Sequence, residues 1–219
     1  MDQQPLFIRK EQGMGFFSTE GALYKFISRL WDMIVLNFIW VIFSLPIVTI
    51  GASTVAAYSV ALKMVDEEEG YIVRSFIKAF KENLKQGILL GVIAIVASYL
   101  VYINYELFNA IESNPIILLF VAILAGIFFL SSLLYAFPLA ARYHSSVMQI
   151  MRNSRQICMK YFVRTLILIL LLAMIILMIL WNSTTFMVGL ILGPAFCIFT
   201  IAAFSKRIFQ MIERDQAAG

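Results

Sequence analysis

One histidine, two cysteines and five prolines are all that this 219-residue chain holds of those residue types. His144 stands alone, and Cys158 and Cys197 are far apart, so no ligand cluster for zinc or a di-metal centre can be assembled. The two cysteines give no disulfide framework and read as reduced, structural thiols, Cys197 in an apolar run and Cys158 in a basic stretch. Charge is also scarce, at 14% of residues against about 25% in a soluble domain. Glycine-rich phosphate loops and activated-serine motifs are missing. These absences argue against an enzyme and against a cofactor. The first twenty residues lack a basic start, an apolar core and a cleavage site, so the first membrane helix is expected to act as its own targeting signal.

What is abundant is apolar: 62% of the residues, with a mean hydropathy of +0.89. Long apolar runs at this composition indicate an integral membrane protein and exclude a cytosolic enzyme, a secreted disulfide scaffold and a disordered chain. One membrane domain, residues 1–219, accounts for the length, and nucleic acid is not an expected partner.

The basic residues fall in four segments. Arg9, Lys10, Lys25 and Arg29 precede residue 33, and Lys63, Arg74, Lys78, Lys81 and Lys85 occupy 63–87. Arg142, Arg152, Arg155, Lys160 and Arg164 occupy 142–164, and Lys206, Arg207 and Arg214 follow. None lies in 88–141 or 165–205. Positive charge is retained on the cytoplasmic side, so all four segments and both termini are assigned there. An even number of crossings then separates each pair. The expected fold is all-α, a polytopic helical bundle in the inner membrane, with spans at about 24–46, 53–65, 88–108, 115–141, 165–181 and 186–205. Outer turns fall at Glu106 to Pro115, where Asn114 caps the next helix, and at Asn182 to Thr185. Pro46 and Gly51 interrupt the first apolar run and leave the second helix short, so the alternative for residues 53–65 is a re-entrant helix.

Two segments are expected on the cytoplasmic surface, at about 71–86 and 145–163. In the first, Arg74, Lys78, Lys81 and Lys85 align on one stripe, with Val73, Phe76, Ile77, Phe80 and Leu84 on another side. The acidic run Asp66 to Glu69 reads as the solvated turn and start of that helix. In the second, Val147, Ile150, Met151, Cys158, Tyr161 and Phe162 recur at helical spacing while Arg152 and Arg155 point elsewhere. Anionic lipid headgroups are the expected contact of both basic faces, with docking of a cytoplasmic partner as the alternative. His144, after Arg142 and Tyr143, reads as an interfacial anchor.

Within the spans no ionisable residue sits near a centre, which argues against ion-coupled transport. Asn37 and Trp40 are the sharpest polar pair there, an amide and an indole that a polar solute could meet. Gly87 with Gly91, Gly189 with Gly193, and the stripe Ser53, Ala57, Ala61 carry spacings that let helices approach closely. Packing within one chain is the default use of such spacings, and a homo-oligomer is the other.

Leu45-Pro46-Ile47-Val48-Thr49-Ile50-Gly51, Glu68-Glu69-Gly70-Tyr71 and the stretch Phe76 to Asn83 resemble the YesL-type family of bacterial membrane proteins. Phe137-Pro138-Leu139 followed by Ala141-Arg142-Tyr143 is similar to its later signature, and the resemblance covers about residues 14–207. That family is a domain of unknown function, so no catalytic or binding residues carry over. Its genes often lie near carbohydrate-uptake transporters of the ATP-binding-cassette kind and near sugar sensor kinases. The resemblance therefore implies an accessory or regulatory membrane component, with permease subunits or a sensor kinase as partner. A small-solute carrier or channel without ion coupling is the alternative.

Overall fold

The computed structural model describes residues 22–68, 70–110, 116–143 and 145–217. Regular structure among the described residues is helical, without a strand. In chain order the helices are α1 (Ala22–Ser44), a 3₁₀ turn (Ile47–Thr49), α2 (Ile50–Val65), α3 (Ile72–Glu82) and α4 (Leu84–Ala110). They continue with α5 (Ile116–Arg142), α6 (Val147–Lys160), α7 (Phe162–Leu180) and α8 (Ser183–Ala217). Packing distinguishes two units, Met1–Asp32 and Met33–Gly219. Among the described residues, five helical segments are long and apolar enough to cross a membrane: Phe26–Ser44, Ile47–Val65, Leu84–Phe108, Phe162–Leu180 and Ser183–Asp215. Arg9, Lys10, Glu69, Glu112, Asn114, Pro115 and His144 lie outside the described residues.

The chain turns at Pro46 for a local reason. Proline has no N–H to continue α1, and Thr49 takes up the Phe43 carbonyl at its end and closes the turn onto Pro46. Its amide donates to the Pro46 carbonyl at 2.8 Å, and its hydroxyl lies 2.7 Å from the Phe43 carbonyl. The second helix accordingly starts at Ile50, three residues before the expected Ser53. Gly51 lies within it and has no left-handed conformation, so it does not make the turn.

What Gly51 does instead is admit α4. A Cβ on Gly51 would lie 2.6 Å from the Cα of Gly91, and one on Gly91 would lie 2.9 Å from the Cα of Gly51. Gly87 meets Ala52 in the same way. Backbones this close gain dispersion contacts that larger side chains would prevent, the main attraction available to helices in lipid. The expected pair Gly87 and Gly91 thus finds its partner in α2, and Ser53, Ala57 and Ala61 are fully buried beside it. Gly189 and Gly193 lie against the Ile179 side chain of α7, a contact within the chain.

Helix α2 is the hub of the larger unit, packed on α3, α4, α5 and α8. Val55, Ala56, Tyr58 and Leu62 are buried, and the Tyr58 ring stacks on Phe137 of α5 at 6.4 Å. The helix ends where Glu67 takes a left-handed φ of 58°, with Glu67 N–H donating to Met64 and Glu68 N–H to Lys63. The acidic run therefore terminates α2; it does not start α3, which begins at Ile72.

Other boundaries also differ from expectation. Helix α3 stops at Glu82 because buried Asn83 closes it, donating its side-chain amide to Ala79 at 3.0 Å, and α4 resumes at Leu84. Helix α7 begins at Phe162, which brings Arg164 into its first turn. The last helix runs 35 residues to Ala217, well beyond 205, because the end of the apolar stretch at Lys206 is not the end of the helix. At about 1.5 Å per residue it is about 52 Å long, against a hydrocarbon core of about 30 Å.

Candidate functional site

Asn37, in α1, is 4% exposed. Its side-chain amide donates to the carbonyls of Ile191 at 2.8 Å and Leu190 at 3.3 Å in α8. Pro194 accounts for the longer of the two, because a helical N–H at that position would have served Leu190, four residues earlier. Trp40 is held likewise, its indole N–H donating to Thr54 Oγ1 at 3.2 Å while its carbonyl accepts from Ser53 Oγ at 2.9 Å. The structure engages the donors of both expected residues on other helices, Asn37 on α8 and Trp40 on α2. Asn37 Oδ1 is buried without a hydrogen-bond partner.

On α3, Phe76 is 0% and Ala79 6% exposed, whereas Arg74, Lys78, Lys81 and, just beyond, Lys85 are exposed. Lys78 lies 4.0 Å from Glu82 of the same helix. The apolar set expected as one face is divided. Phe76 and Phe80 meet the Phe43 ring at 5.4 and 4.9 Å, while Val73 stays 48% exposed. Val73 lies on the same side as Phe80, seven residues on, but in the first turn of α3, outside the packed stretch of that side.

On α6, Ser146 caps the first turn by accepting from Gln149 N–H, and Ile150, Ser154, Ile157 and Cys158 are buried. Ser154 donates to the Ser132 carbonyl of α5, so the inward face is partly polar, and Phe162 is 62% exposed, outside it. Arg152 and Arg155 are exposed, with Arg155 Nε donating to its own helix at Met151.

Spacing gave no warning of the charged cluster at the ends of α2, α5, α6 and α8. Arg142 binds Glu213 at 3.0 Å, and Tyr143 donates its hydroxyl to the same carboxylate at 2.6 Å. Lys206, whose side chain is only 12% exposed, pairs with Asp66, and Lys160 reaches Asp215 at 3.2 Å. Burial and the bond to Glu213 push the Tyr143 hydroxyl up to about 12, and Asp215 raises Lys160 above its ordinary value. Two cavities flank the Arg142–Glu213 pair. One, about 420 Å³, is lined by Leu139, Asn153, Gln156 and Phe209, among others; the other, about 260 Å³, includes Lys63, Asp66 and Gln210. Partners 55 to 140 residues apart in sequence leave no local pattern, and only the fold assembles them.

These groups can hold helices together and present positive charge. Among the described residues no three potential metal ligands come together. No curated protein and no solved structure matches the chain. Residues 33–105, from the second half of α1 into α4, match the model of a family described as a protein of unknown function, DUF624, so the part that is similar holds the glycine crossing and the basic α3, and the later Phe137 to Tyr143 phrase lies outside it.

Proposed function

We propose that the protein is a non-enzymatic integral membrane component that serves as an accessory or scaffold subunit, with its basic segments, α3, α6 and both termini on the cytoplasmic side of the inner membrane. Helices α4 and α5, and α7 and α8, cross as pairs, because no Lys or Arg separates the two helices of either pair. The observation that carries the reading is the outward basic face of α3. Arg74, Lys78 and Lys81 are exposed on a helix whose other side is anchored by Phe76 and Ala79. That face is fixed in place and suited to anionic headgroups or an acidic partner surface. The association with carbohydrate uptake, and with permease subunits or a sensor kinase, rests on the YesL-type resemblance.

Affinity purification from membranes in mild detergent, followed by mass spectrometry, tests it. A stoichiometric membrane partner is expected, lost from the R74E/K78E/K81E variant. A partner that survives the charge reversal unweakened removes α3 from the docking role.

One observation favours a carrier instead, the unpartnered Oδ1 of buried Asn37. A carrier would conduct a small neutral solute into proteoliposomes, and Asn37→Leu would reduce the flux. Absence of flux for a panel of neutral solutes counts against it.

A further inference from the structure

We infer that the cavity where α2, α5 and α8 meet is a binding site for a phosphoethanolamine group, a phosphate and a primary ammonium on one short chain, carried by a phospholipid or as a free solute. The inference rests on the membrane reading of the chain, uses none of the α3 cations and is independent of any docking role.

Three observations converge on it. The first is a supply of unengaged donors. Ser59 and Lys63 project from successive turns of α2, Gln210 lies one turn beyond Lys206 on α8, and all line a cavity of about 260 Å³. The side chains of Ser59, Lys63 and Gln210 bond to no other described residue. Arg142, at the end of α5, gives Nη2 to Glu213 at 3.0 and 3.2 Å and keeps its other donors. Donors converging from three helices suit the several acceptor oxygens of a phosphate.

The second is the balance of charge. The left-handed Glu67 turns the chain back, and Glu68 N–H donates to the Lys63 carbonyl at 3.2 Å. That fold-back sets Glu68 on the same cavity as Lys63, yet the two side chains make no ion pair. The other charges there are matched, Lys206 by Asp66 and Arg142 by Glu213. One cation and one anion are left over. An anion alone would meet Glu68, and a cation alone would meet Lys63, so the complement is a group that carries both signs. The third is position and size. The cavity lies beside Lys206, where the apolar stretch of α8 ends, with Leu62 and Ala141 on its apolar side. That is the level of headgroups at a bilayer boundary. Its volume falls below the about 300–1,000 Å³ of sites for drug-sized ligands, which suits a headgroup whose acyl chains stay in the bilayer. Among the described residues no aromatic side chain lines it, whereas quaternary ammonium groups are held in aromatic cages, so choline is a poor occupant. A primary ammonium donates three N–H groups and finds its acceptor in Glu68.

Native mass spectrometry of the purified protein in non-ionic detergent tests it, with dioleoyl phosphatidylethanolamine, phosphatidylglycerol and phosphatidylcholine titrated in turn. Phosphatidylethanolamine is expected to bind at one site about tenfold more tightly than either of the others. Lys63→Gln should weaken that binding about tenfold, and Glu68→Gln should abolish the preference over phosphatidylcholine. Lys78→Gln, on α3, should leave it unchanged. Lys63 and Glu68 are exposed, so neither substitution disturbs the core, and unaltered thermal unfolding of the variants verifies this. Glycerophosphoethanolamine then separates the sources. Displacement of the lipid at millimolar solute assigns the site to the free group, retention assigns it to the lipid, and either result upholds the phosphoethanolamine chemistry. Equal binding of the three lipids, a preference for phosphatidylglycerol, or binding unmoved by both Lys63→Gln and Glu68→Gln overturns the inference. None of these outcomes bears on partner capture through α3, so the accessory reading stands or falls separately.

Discussion

The side-chain amide of Asn37 donates to the carbonyl of Leu190, the acceptor that Pro194, four residues on, has no N–H to serve. A polar residue that looked available to a solute thus repairs a helix in which proline leaves a gap. The repair is a coupling between two positions, and it can be measured. Asn37→Ala is expected to destabilise the protein in detergent by about 1 kcal/mol, within the range found for hydrogen bonds between membrane helices. In a Pro194→Ala background, where the backbone donor returns, the same change should cost clearly less. Strict additivity in that double-mutant cycle, followed by denaturant unfolding, would show that the two residues act independently.

The glycine crossing predicts a sharp contrast among Gly→Ala changes. Gly51→Ala and Gly91→Ala each place a methyl group under 3 Å from opposing backbone, which no rotamer can relieve. Each should cost about 2–3 kcal/mol or prevent folded protein from accumulating. Gly126→Ala meets only the Val101 side chain at 3.5 Å and should stay within about 0.5 kcal/mol of the parent or stabilise it. Thermal unfolding of the three variants by circular dichroism orders them.

Ion pairs where α2, α5, α6 and α8 meet should differ by burial. Asp66→Ala strands Lys206, whose side chain is 12% exposed, and is expected to cost about 3 kcal/mol. Asp215→Ala leaves Lys160, which is 60% exposed, to water, and its effect should be too small to resolve. Equal losses from the two substitutions would mean that burial of the lysine does not set the penalty.

Tyr143 gives the cluster a limit at high pH. Its hydroxyl is held up to about 12 in the folded protein, against an ordinary value near 10, so the folded state keeps the proton longer. The corresponding stability is whole below about pH 10 and is lost as pH rises from there to about 12. Partial exposure reduces it to about 1 kcal/mol. Stability measured from pH 8 to 12 should show this decline, and Tyr143→Phe should flatten it.

Much of this was legible in the sequence, because hydropathy and the placement of Lys and Arg are local. Helix ends near Ser44, Arg142 and Leu180 fall within two residues of expectation. What escaped depends on neighbours distant in the chain. Gly51 read as a turn residue because a glycine five residues after a proline breaks a helix as readily as it packs one, and only α4 distinguishes the two. Val73 was grouped with Phe76 because periodicity gives a side of α3 but not how far along the helix its neighbours cover that side. The pairing of Asp66 with Lys206 and of Glu213 with Arg142 carried no local pattern; it needed α2, α5 and α8 to come together. The expected run of helix α8 stopped at 205 since hydropathy marks where lipid ends, and a helix can continue into water.

That continuous helix has a mechanical side. From Pro194 to Ala217 it extends 23 residues, about 34 Å of rod whose near end is the one interruption in its hydrogen-bond ladder. A change of only 5° in the bend there would carry the far end through about 3 Å. Lys206, Glu213 and Asp215 lie along that rod, so each ion pair they make acts as a stop on its swing. Asn37, at the fulcrum, would feel any load applied at the stops as a pull on the Leu190 carbonyl.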